Sequence, residues 1–295
     1  MIKNYNAFKT VNTTITYMIF ILISLFVFYP LVYVVAAAFA PGNGIANMSI
    51  IPFGDGHTIH LANGMKITMG NGFTLDHFKY LFTKTNYWLW FKNTFIIALW
   101  TSILTVIISS LSAYVFSRFN FAFKKSMLMS LLILQIFPSF VGMIAIYVIL
   151  NRIGGIDTLW GLVLVYVAGN IPYNTWMVKS YMDTVSKNLD EAARIDGLTE
   201  LGIFFRMYMP AMKSTYAAAA VICFMNAWNA YLWPKVVMNQ PKAQTMPMLI
   251  ANMASGYTTD YGMLMMGVLF CSIPTMIIFF VLQKQFAEGI TGAVK

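Results

Sequence analysis

The chain has 295 residues, of which 59% are hydrophobic and only 10% are charged. Soluble globular domains contain about 45–50% apolar and about 25% charged residues, so this composition leaves too few charged side chains to cover a soluble fold. The net charge of +9 is not gathered into the basic stripes of a nucleic-acid-binding protein. The two cysteines, Cys223 and Cys271, lie in apolar runs, which excludes a disulfide framework and a CxxC site. An integral membrane protein is the class that remains.

Six apolar stretches along the chain are long enough to cross a membrane, since a spanning helix needs about 20 mostly apolar residues. They cover residues 15–40, 94–117, 126–150, 159–178, 214–234 and 263–282. The first stretch is longer than the apolar region of a signal peptide and is not followed by a clear cleavage site, so we expect it to be retained. The sequence therefore predicts an all-α integral membrane protein with six transmembrane helices.

Lys and Arg residues in the connecting segments predict the orientation of these helices, because positive charge favours the cytoplasmic side. More of them fall on the side of the N-terminus than on the opposite side, and the compact segment from Arg118 to Lys125 carries only basic charges. Both termini are therefore predicted to be cytoplasmic. The long polar segment 41–93 is then extracytoplasmic.

A small β-hairpin is predicted in this extracytoplasmic segment. Residues 57–69 alternate apolar and polar side chains on both sides of Asn63-Gly64, and Asn-Gly between alternating runs is the strongest short hairpin signal, because both turn positions need positive φ. His57 and His60 could suggest a metal site, but no Cys or regularly spaced carboxylate completes a ligand set. We therefore expect no metal site here.

The interiors of the six stretches contain no Asp, Glu, Lys, Arg or His. Such charges usually mark ion paths, proton relays and coupling sites, so an ion pump, a voltage sensor and a proton-driven carrier are disfavoured, while sodium coupling through backbone carbonyls stays open. The spans also lack the residue sets of an intramembrane enzyme, and the chain has no Gly-x-x-x-x-Gly-Lys-[Ser/Thr] loop for ATP. The sequence therefore predicts no catalytic residues, and any ATP-driven function would need an ATPase on another chain.

Neutral polar and aromatic side chains in the spans are candidates for a solute pathway. Asn226, Asn229 and Trp233 share a helical face through their i, i+3, i+7 spacing, and Gln135 and Asn174 lie in other spans. Amides can bond the hydroxyls of a neutral sugar, and aromatic rings can cover its C–H faces. The alternative is structural, since amides also bridge helices and aromatic residues form belts at the membrane interface.

The segment between the fourth and fifth stretches is the most charged part of the chain. Half of the ten acidic residues lie there, namely Asp183, Asp190, Glu191, Asp196 and Glu200. Asn188 and Glu191 have capping-box spacing, and Gly197 can end the first short helix in a left-handed conformation. Thr199 can cap a second helix that stops before Pro210. Two short helices joined by a glycine elbow are therefore predicted on the cytoplasmic side.

This loop carries the residue pattern Glu191-Ala-Ala-x-x-Asp196-Gly197, then Phe204 or Phe205, and then Pro210. The pattern is similar to the EAA loop of the membrane subunits of binding-protein-dependent ABC importers. Residues 171–185 and 283–292 resemble the MalG-type permeases of the maltose and maltodextrin branch, and the resemblance covers most of the chain from about residue 75. Ser186 departs from the pattern, because the family often has proline there.

The resemblance implies the type I ABC importer permease fold and a division of the chain. The permease core would span residues 94–285, with the EAA loop at 185–212. Before the core would lie a cytoplasmic N-terminus, a first transmembrane helix and an extracytoplasmic loop, at residues 1–14, 15–40 and 41–93. A cytoplasmic tail at 286–295 would follow it.

The resemblance also implies a function and partners. The chain would be the permease subunit of an ATP-driven importer in a bacterial cell membrane, passing a neutral oligosaccharide such as maltose or maltodextrin by alternating access. A MalF-like second permease, a MalK-like ATPase dimer and an extracytoplasmic solute-binding protein would complete the transporter. ATP and Mg would be bound by the ATPase, so this chain would hold no cofactor. The rival hypothesis is a secondary sugar carrier or channel that acts alone.

Residue roles follow from the same resemblance. The ATPase-coupling residues would be Asp190, Glu191, Ala192, Ala193, Asp196 and Gly197. Glu191 would pair with a basic group of the ATPase, and the other possibility is that it only caps its own helix. Ala192 and Ala193 would allow close packing, and Gly197 would form the elbow. In the last extracytoplasmic loop, Gly256 and Tyr257 would contact the solute-binding protein.

Overall fold

The computed structural model describes residues 2–42, 57–60, 66–69, 73–136, 140–255 and 259–292. The regular structure in these ranges is almost entirely helical. The helices are α1 (Ile2–Phe39), α2 (Asp76–Lys84), α3 (Tyr87–Arg118), α4 (Lys124–Ile136), α5 (Met143–Arg152), α6 (Leu159–Met182), α7 (Asn188–Ile195), α8 (Glu200–Ile203), α9 (Met209–Ala211), α10 (Lys213–Trp228), α11 (Leu232–Val237), α12 (Met246–Ala254) and α13 (Tyr261–Gly292). A π-helical turn, Phe204–Tyr208, joins α8 to α9.

Three of the described helices are long and apolar enough, by length and composition, to cross a membrane. They are Thr13–Phe39 within α1, Tyr87–Arg118, which is α3, and Tyr261–Val281 within α13. They coincide with the first, second and sixth predicted stretches. In α1 every side chain from Thr13 to Val32 is exposed. So large an apolar surface fits contact with lipid or with another membrane helix rather than with water.

The third predicted stretch, residues 126–150, is not one helix. It forms α4 and α5, and the described residues 140–142 between them are a turn. Pro138 lies in the intervening sequence, at a position outside the described residues, and a proline lacks the N–H that a continuous helix would need there. The prediction of one continuous helix over this stretch was therefore wrong, because a count of apolar residues does not detect such an interruption.

The fifth predicted stretch, residues 214–234, is also interrupted. Helix α10 ends at Trp228 and α11 begins at Leu232. A continuous helix through Pro234 would lose the hydrogen bond to the carbonyl of Ala230 and would force the proline ring against it. The side-chain amide of Asn229 donates to the carbonyl of Met225 (2.9 Å), one of the last carbonyls of α10.

Two strands, β1 (His57–His60) and β2 (Lys66–Met69), pair in an antiparallel arrangement. In their register His57 lies opposite Met69 and His60 lies opposite Lys66. These are the segments on either side of Asn63-Gly64, which itself lies outside the described residues. The side chains of the strands, including both histidines, are likewise outside the described part of the chain.

Two compact units can be distinguished in the chain. They comprise residues 1–86 with 250–270, and residues 87–249 with 271–295. In the first unit His77, at the start of α2, is buried and its Nδ1–H donates to the carbonyl of Ala38 at the end of α1 (3.1 Å). Gly262 of α13 leaves the space for this ring, since a Cβ atom there would come within 2.2 Å of it.

The second unit is built on α3, α6 and α10, which pack against one another. The buried face of α3 is lined by small and hydroxyl-bearing side chains, namely Ala98, Thr101, Ser102, Thr105, Ser109, Ser110 and Ala113. Small residues allow close approach of membrane helices. The hydroxyls of Ser102 and Ser109 donate to carbonyls four residues earlier in α3. These two serine hydroxyls therefore satisfy their hydrogen bonds within their own helix.

Candidate functional site

The charged loop between α6 and α10 consists of two short helices joined at a glycine. Helix α7 ends at Ile195, and Gly197 follows in the left-handed conformation with φ of 81°. The hydroxyl of Thr199 accepts a hydrogen bond from the N–H of Gly202 (3.2 Å) and so caps α8. The glycine elbow and the threonine cap are both confirmed. They turn the chain sharply between the two helices.

The predicted capping box of α7 is wrong. The N-cap position is Lys187, whose backbone is helical and whose side chain makes no capping hydrogen bond. The hydroxyl of Ser186 instead accepts from the N–H of Asn188 (3.3 Å). A serine can satisfy a nearby backbone N–H from outside the helix, so the side chain of Glu191 does not supply the predicted cap and is exposed.

The predicted end of the second helix before Pro210 is also wrong. The chain passes from α8 through the π-helical turn Phe204–Tyr208 into α9, which contains Pro210 near its start. In a π-helical turn the backbone hydrogen bonds join residues five apart instead of four apart. The missing N–H of a proline near a helix start removes no intrahelical bond, which explains why the helical path continues.

A buried ion pair fixes α7 to the end of α3. Arg118, the last residue of α3, places its Nε 3.3 Å from Oδ2 of Asp190, and the two side chains are only 2% and 5% exposed. The hydroxyl of Tyr208 donates to Oδ1 of the same carboxylate (2.5 Å). The guanidinium carbon of Arg118 lies 4.9 Å from the centre of the Tyr208 ring. The three side chains form one contact between α3, α7 and the π-helical turn.

Arg118 also holds the chain that leads into the loop. Its Nη2 donates to the carbonyls of Met182 and Val185, both at 2.8 Å. These carbonyls flank the end of α6, so one guanidinium joins the ends of two long helices to the first short helix. Removing one partner of a buried ion pair typically costs about 3–5 kcal/mol. The loop is therefore held rigidly against the helical core.

A second, more exposed set of contacts lies beside this pair. Arg194 Nε donates to Oε1 of Glu200 (2.8 Å), and the hydroxyl of Tyr114 donates to Oε2 (2.9 Å). The hydrogen bond from Arg194 lowers the pKa of Glu200 below its usual value. These contacts span the glycine elbow, because Arg194 precedes it and Glu200 follows it. They connect both short helices to α3.

Asp183 anchors the entry to the loop. Lys179 Nζ donates to Oδ2 of Asp183 and the hydroxyl of Ser117 donates to Oδ1, each at 2.6 Å. Burial by itself would raise the pKa of Asp183, but the hydrogen bonds from Lys179 and Ser117 outweigh it and lower the pKa. The carboxylate is thus ionised at neutral pH and ties α6 to the end of α3.

The six residues expected to couple to an ATPase separate into two groups. Asp190 and Ala193 face the chain itself and are 4% and 2% exposed. The exposed members are Glu191, Ala192, Asp196 and Gly197. The inward pair positions the loop, and only the outward residues can touch another protein.

The short helices α7 and α8 and the π-helical turn also carry exposed apolar side chains. The large ones with substantial exposure are Leu189, Ile195, Leu201 and Phe205. Ile195 is 86% exposed and lies one turn from Glu191 in α7. An exposed apolar surface beside charged groups is typical of a protein contact. The sequence pattern did not reveal this surface, because apolar residues in short helices read equally well as core.

The predicted pathway residues do not share one environment. Gln135, Asn226 and Asn229 are exposed, and Trp233 is half-buried in α11 against the helical core. Asn174 is completely buried in α6, and its amide donates to the carbonyl of Asn170 (2.8 Å). The common helical face predicted for Asn226, Asn229 and Trp233 is wrong, because the chain breaks between α10 and α11.

Gly256 and Tyr257 lie outside the described residues. Within the described residues, no group of three or more His, Cys, Asp and Glu side chains could hold a metal ion. The cysteines Cys223 and Cys271 are both buried, and they form no disulfide bond.

These features together define a class of protein: a membrane-embedded helical subunit that carries one rigidly anchored, outward-facing charged loop. The chain belongs to the family of binding-protein-dependent transport system inner membrane components, whose model matches residues 105–292. That range includes the whole loop and α3 from the middle of its length. The protein is therefore a multi-pass membrane subunit of a transport system and not an enzyme.

Relatives match the chain over nearly its whole length. It is 34% identical to the maltodextrin transport system permease protein MdxG of Bacillus subtilis, over 98% of each chain. It is 32% identical to the galactooligosaccharides transport system permease protein GanQ of the same organism, over 99% of this chain and 98% of that one. The maltodextrin transport system permease protein MalD of Streptococcus pneumoniae is 30% identical over 96% of this chain and 95% of that protein.

A solved structure has the same fold. The chain is similar to a chain in the crystal structure of a bacterial ABC transporter involved in the import of the acidic polysaccharide alginate, with a TM-score of 0.77. The similarity covers 93% of this chain and 96% of that chain at 17% sequence identity. The type I importer permease fold implied by the sequence is thus supported over nearly the full length.

Proposed function

We propose that this chain is the permease subunit of an ATP-driven ABC importer for a neutral oligosaccharide. The observation that carries the proposal is the similarity over nearly the full chain to permeases named for maltodextrin and galactooligosaccharides. Another relative, AraQ of Bacillus subtilis, is named for arabinooligosaccharides and is 31% identical over 75% of this chain. Among these sugars we propose maltodextrin, because two of the relatives above carry that name.

The EAA loop is the proposed docking site for the ATPase. Glu191 and Ala192 lie outward on α7, with Ile195 exposed beside them. A charged group next to apolar side chains suits a cleft with a basic residue in an apolar wall. The buried ion pair between Arg118 and Asp190 joins α7 to α3. A displacement of α7 would therefore move the end of α3 with it. ATP and Mg would be bound by a MalK-like ATPase dimer.

The remaining partners follow from the same role. A MalF-like second permease would enclose the pathway together with this chain, and an extracytoplasmic solute-binding protein would meet Gly256 and Tyr257. Both termini would be cytoplasmic, with six membrane crossings, and the paired strands β1 and β2 would lie on the extracytoplasmic side. The division proposed is a core at 94–285 preceded by 1–14, 15–40 and 41–93 and followed by 286–295.

Exposed amides are the proposed contacts of the sugar. Gln135, Asn226 and Asn229 reach the surface of this chain, and Trp233 offers an aromatic ring close by in the sequence. Alternating access would expose such groups to each side of the membrane in turn. Asn174 is buried, so in this conformation its part is to pack α6 within the core.

Charge reversal at Glu191 tests the docking site. In cells carrying the complete transporter, Glu191→Lys is expected to lower maltodextrin uptake at least about tenfold, because like charges would face each other across the contact. The ATPase should also fail to co-purify with the membrane subunits. Radiolabelled uptake and affinity purification measure the two effects.

A matched charge reversal provides the control. Asp76 is an exposed acid at the start of α2, so Asp76→Lys makes the same change of charge away from the loop and should leave uptake and co-purification unchanged. Wild-type uptake and full retention of the ATPase by Glu191→Lys would show that α7 is not the docking helix.

The substrate is tested on the assembled transporter. Calorimetry of the solute-binding protein with maltodextrin, galactooligosaccharide and arabinooligosaccharide should show tightest binding of maltodextrin. The same sugar should stimulate ATP hydrolysis by the reconstituted complex. Stimulation by another of these sugars, and not by maltodextrin, would support the proposed importer function but contradict maltodextrin as its substrate.

A further inference from the structure

The turn between α3 and α4 presents aromatic rings at the end of a membrane helix. Phe119 packs on Tyr114 and Phe121 packs on Phe116, with ring centres 5.9 Å and 5.8 Å apart. Phe123 is 79% exposed and has a φ of 64°, a conformation that is uncommon for a bulky residue. The turn therefore holds one ring outward, and aromatic rings are enriched where membrane meets water.

An open apolar groove runs beside this turn. It has a volume of about 470 Å³, and its lining residues are Leu111, Ser112, Val115, Phe116, Phe121 and Met127. These residues come from α3, the turn and α4, so the groove follows the surface of a helix that enters the membrane. Its apolar walls suit a hydrocarbon chain rather than a polar ligand.

A more polar hollow of about 490 Å³ lies next to this groove and shares Phe121 with it. Lys124, Lys125 and Ser126 are among its lining residues. Lys124 Nζ donates to the carbonyl of Phe119 (2.8 Å), which points its ammonium group back over the turn. The cationic hollow and the apolar groove are thus two parts of one surface.

The hollow carries more positive than negative charge, because the carboxylate that acts on Lys124, that of Asp183, is already paired with Lys179. The sequence contains no Asp or Glu between Asp76 and Asp157. Among the described ion pairs, none includes Lys124, Lys125 or Lys187. Burial, followed by the neighbouring positive charge of Lys179, lowers the pKa of Lys124. A local excess of positive charge favours an anionic ligand.

We propose that this surface binds an anionic phospholipid, with the phosphate at Lys124 and Lys125 and an acyl chain in the groove lined by Val115 and Met127. A free phosphate ion would fill only the cationic hollow and leave the groove unused. A phospholipid matches both parts, because its charge and its hydrocarbon are joined at the level where α3 leaves the membrane. Basic residues at this level attract anionic lipids.

Native mass spectrometry of the assembled transporter tests the proposal. The complex is purified from vesicles of phosphatidylcholine and phosphatidylglycerol in equal amounts, and retained lipid is counted. Phosphatidylglycerol should be retained preferentially by the wild type. Lys124→Ala with Lys125→Ala should reduce that preference roughly 25-fold, because each lysine near an anionic surface contributes roughly fivefold.

A second variant tests the groove without changing charge. Val115 is 44% exposed, so Val115→Trp should fold and fill the groove, and it should also abolish retention. Lys84→Ala with Lys92→Ala removes two exposed lysines away from the turn and should retain the lipid like the wild type.

Three results would overturn the proposal. The first is unchanged retention in the Lys124 and Lys125 double variant. The second is displacement of the lipid by millimolar inorganic phosphate, which would show an anion site without a place for the acyl chain. The third is disulfide cross-linking of Val115→Cys to the second permease subunit, which would show that protein and not lipid covers the groove.

Discussion

Arg118 is the residue on which the position of the charged loop most depends. Its guanidinium lies against Asp190 and the ring of Tyr208 and donates to two carbonyls near the end of α6. Five donors in a rigid planar fork make arginine suited to such a junction, whereas lysine offers a single charged point. The burial of both charges means that the contact has no water to replace a missing partner.

Replacing Arg118 should destabilise the protein far more than breaking an exposed ion pair. Arg118→Met is expected to lower the free energy of unfolding by about 3–5 kcal/mol, because the buried carboxylate of Asp190 loses its partner. Lys179→Met breaks the half-exposed pair with Asp183 and should cost about 0–1 kcal/mol. Thermal unfolding of the purified subunit in detergent measures both changes.

A double variant separates the buried charge from the lost contacts. Arg118→Met combined with Asp190→Met should recover part of the stability, since it removes the unpaired carboxylate. If the double variant is no more stable than Arg118→Met, the burial of Asp190 is not the cause of the loss.

The position of the charged loop could be predicted from the sequence, but the contacts of its buried residues could not. Glu191 and Gly197 stand in a recognisable pattern, so the loop itself could be located. Arg118 precedes Asp190 by many residues, and in the sequence it reads only as a basic residue that orients a membrane helix. Only the fold brings the two side chains together, which is why the ion pair and the burial of Asp190 were missed.

At the scale of elements, the two short helices depend on the backbone at Gly197. Its φ of 81° lies in the region that glycine adopts freely and that a Cβ atom disfavours. A Cβ atom at this position would meet no other atom within 4 Å. Any effect of a substitution there is therefore due to backbone strain and not to a clash.

Gly197→Ala should cost about 1–2 kcal/mol in unfolding free energy, because alanine is strained in the left-handed conformation. Gly169 in α6 also has nothing within 4 Å of its missing Cβ, but its φ is not positive. Gly169→Ala should therefore be neutral or stabilising. Thermal unfolding of the two variants compares them, and equal effects would argue against a strained elbow.

Long uninterrupted apolar helices could be predicted from hydropathy, and interrupted ones could not. Pro172 and Pro274 lie inside continuous helices, whereas the chain breaks just before Pro234. A proline inside a helix removes one hydrogen bond, and tertiary packing decides whether the helix bends or ends there. This explains why the second stretch was placed correctly while the third and fifth each became two helices.

At the scale of the whole molecule, the scarcity of charge matters less than its distribution. The spans carry no charged interior residue, and half of the acids lie in or beside one anchored loop. The sequence also contains no Gly-x-x-x-x-Gly-Lys-[Ser/Thr] loop for binding ATP. Its family membership agrees with the division of labour that this distribution predicts.

Transport into proteoliposomes tests directly whether this chain works as one subunit of an ATP-driven importer. We expect labelled maltodextrin to enter vesicles only when this chain is reconstituted with the second permease, the ATPase dimer and the solute-binding protein. Uptake should also require ATP on the side of the ATPase. Uptake by the purified chain alone, without ATP, would contradict this subunit role and support a carrier or channel that acts alone.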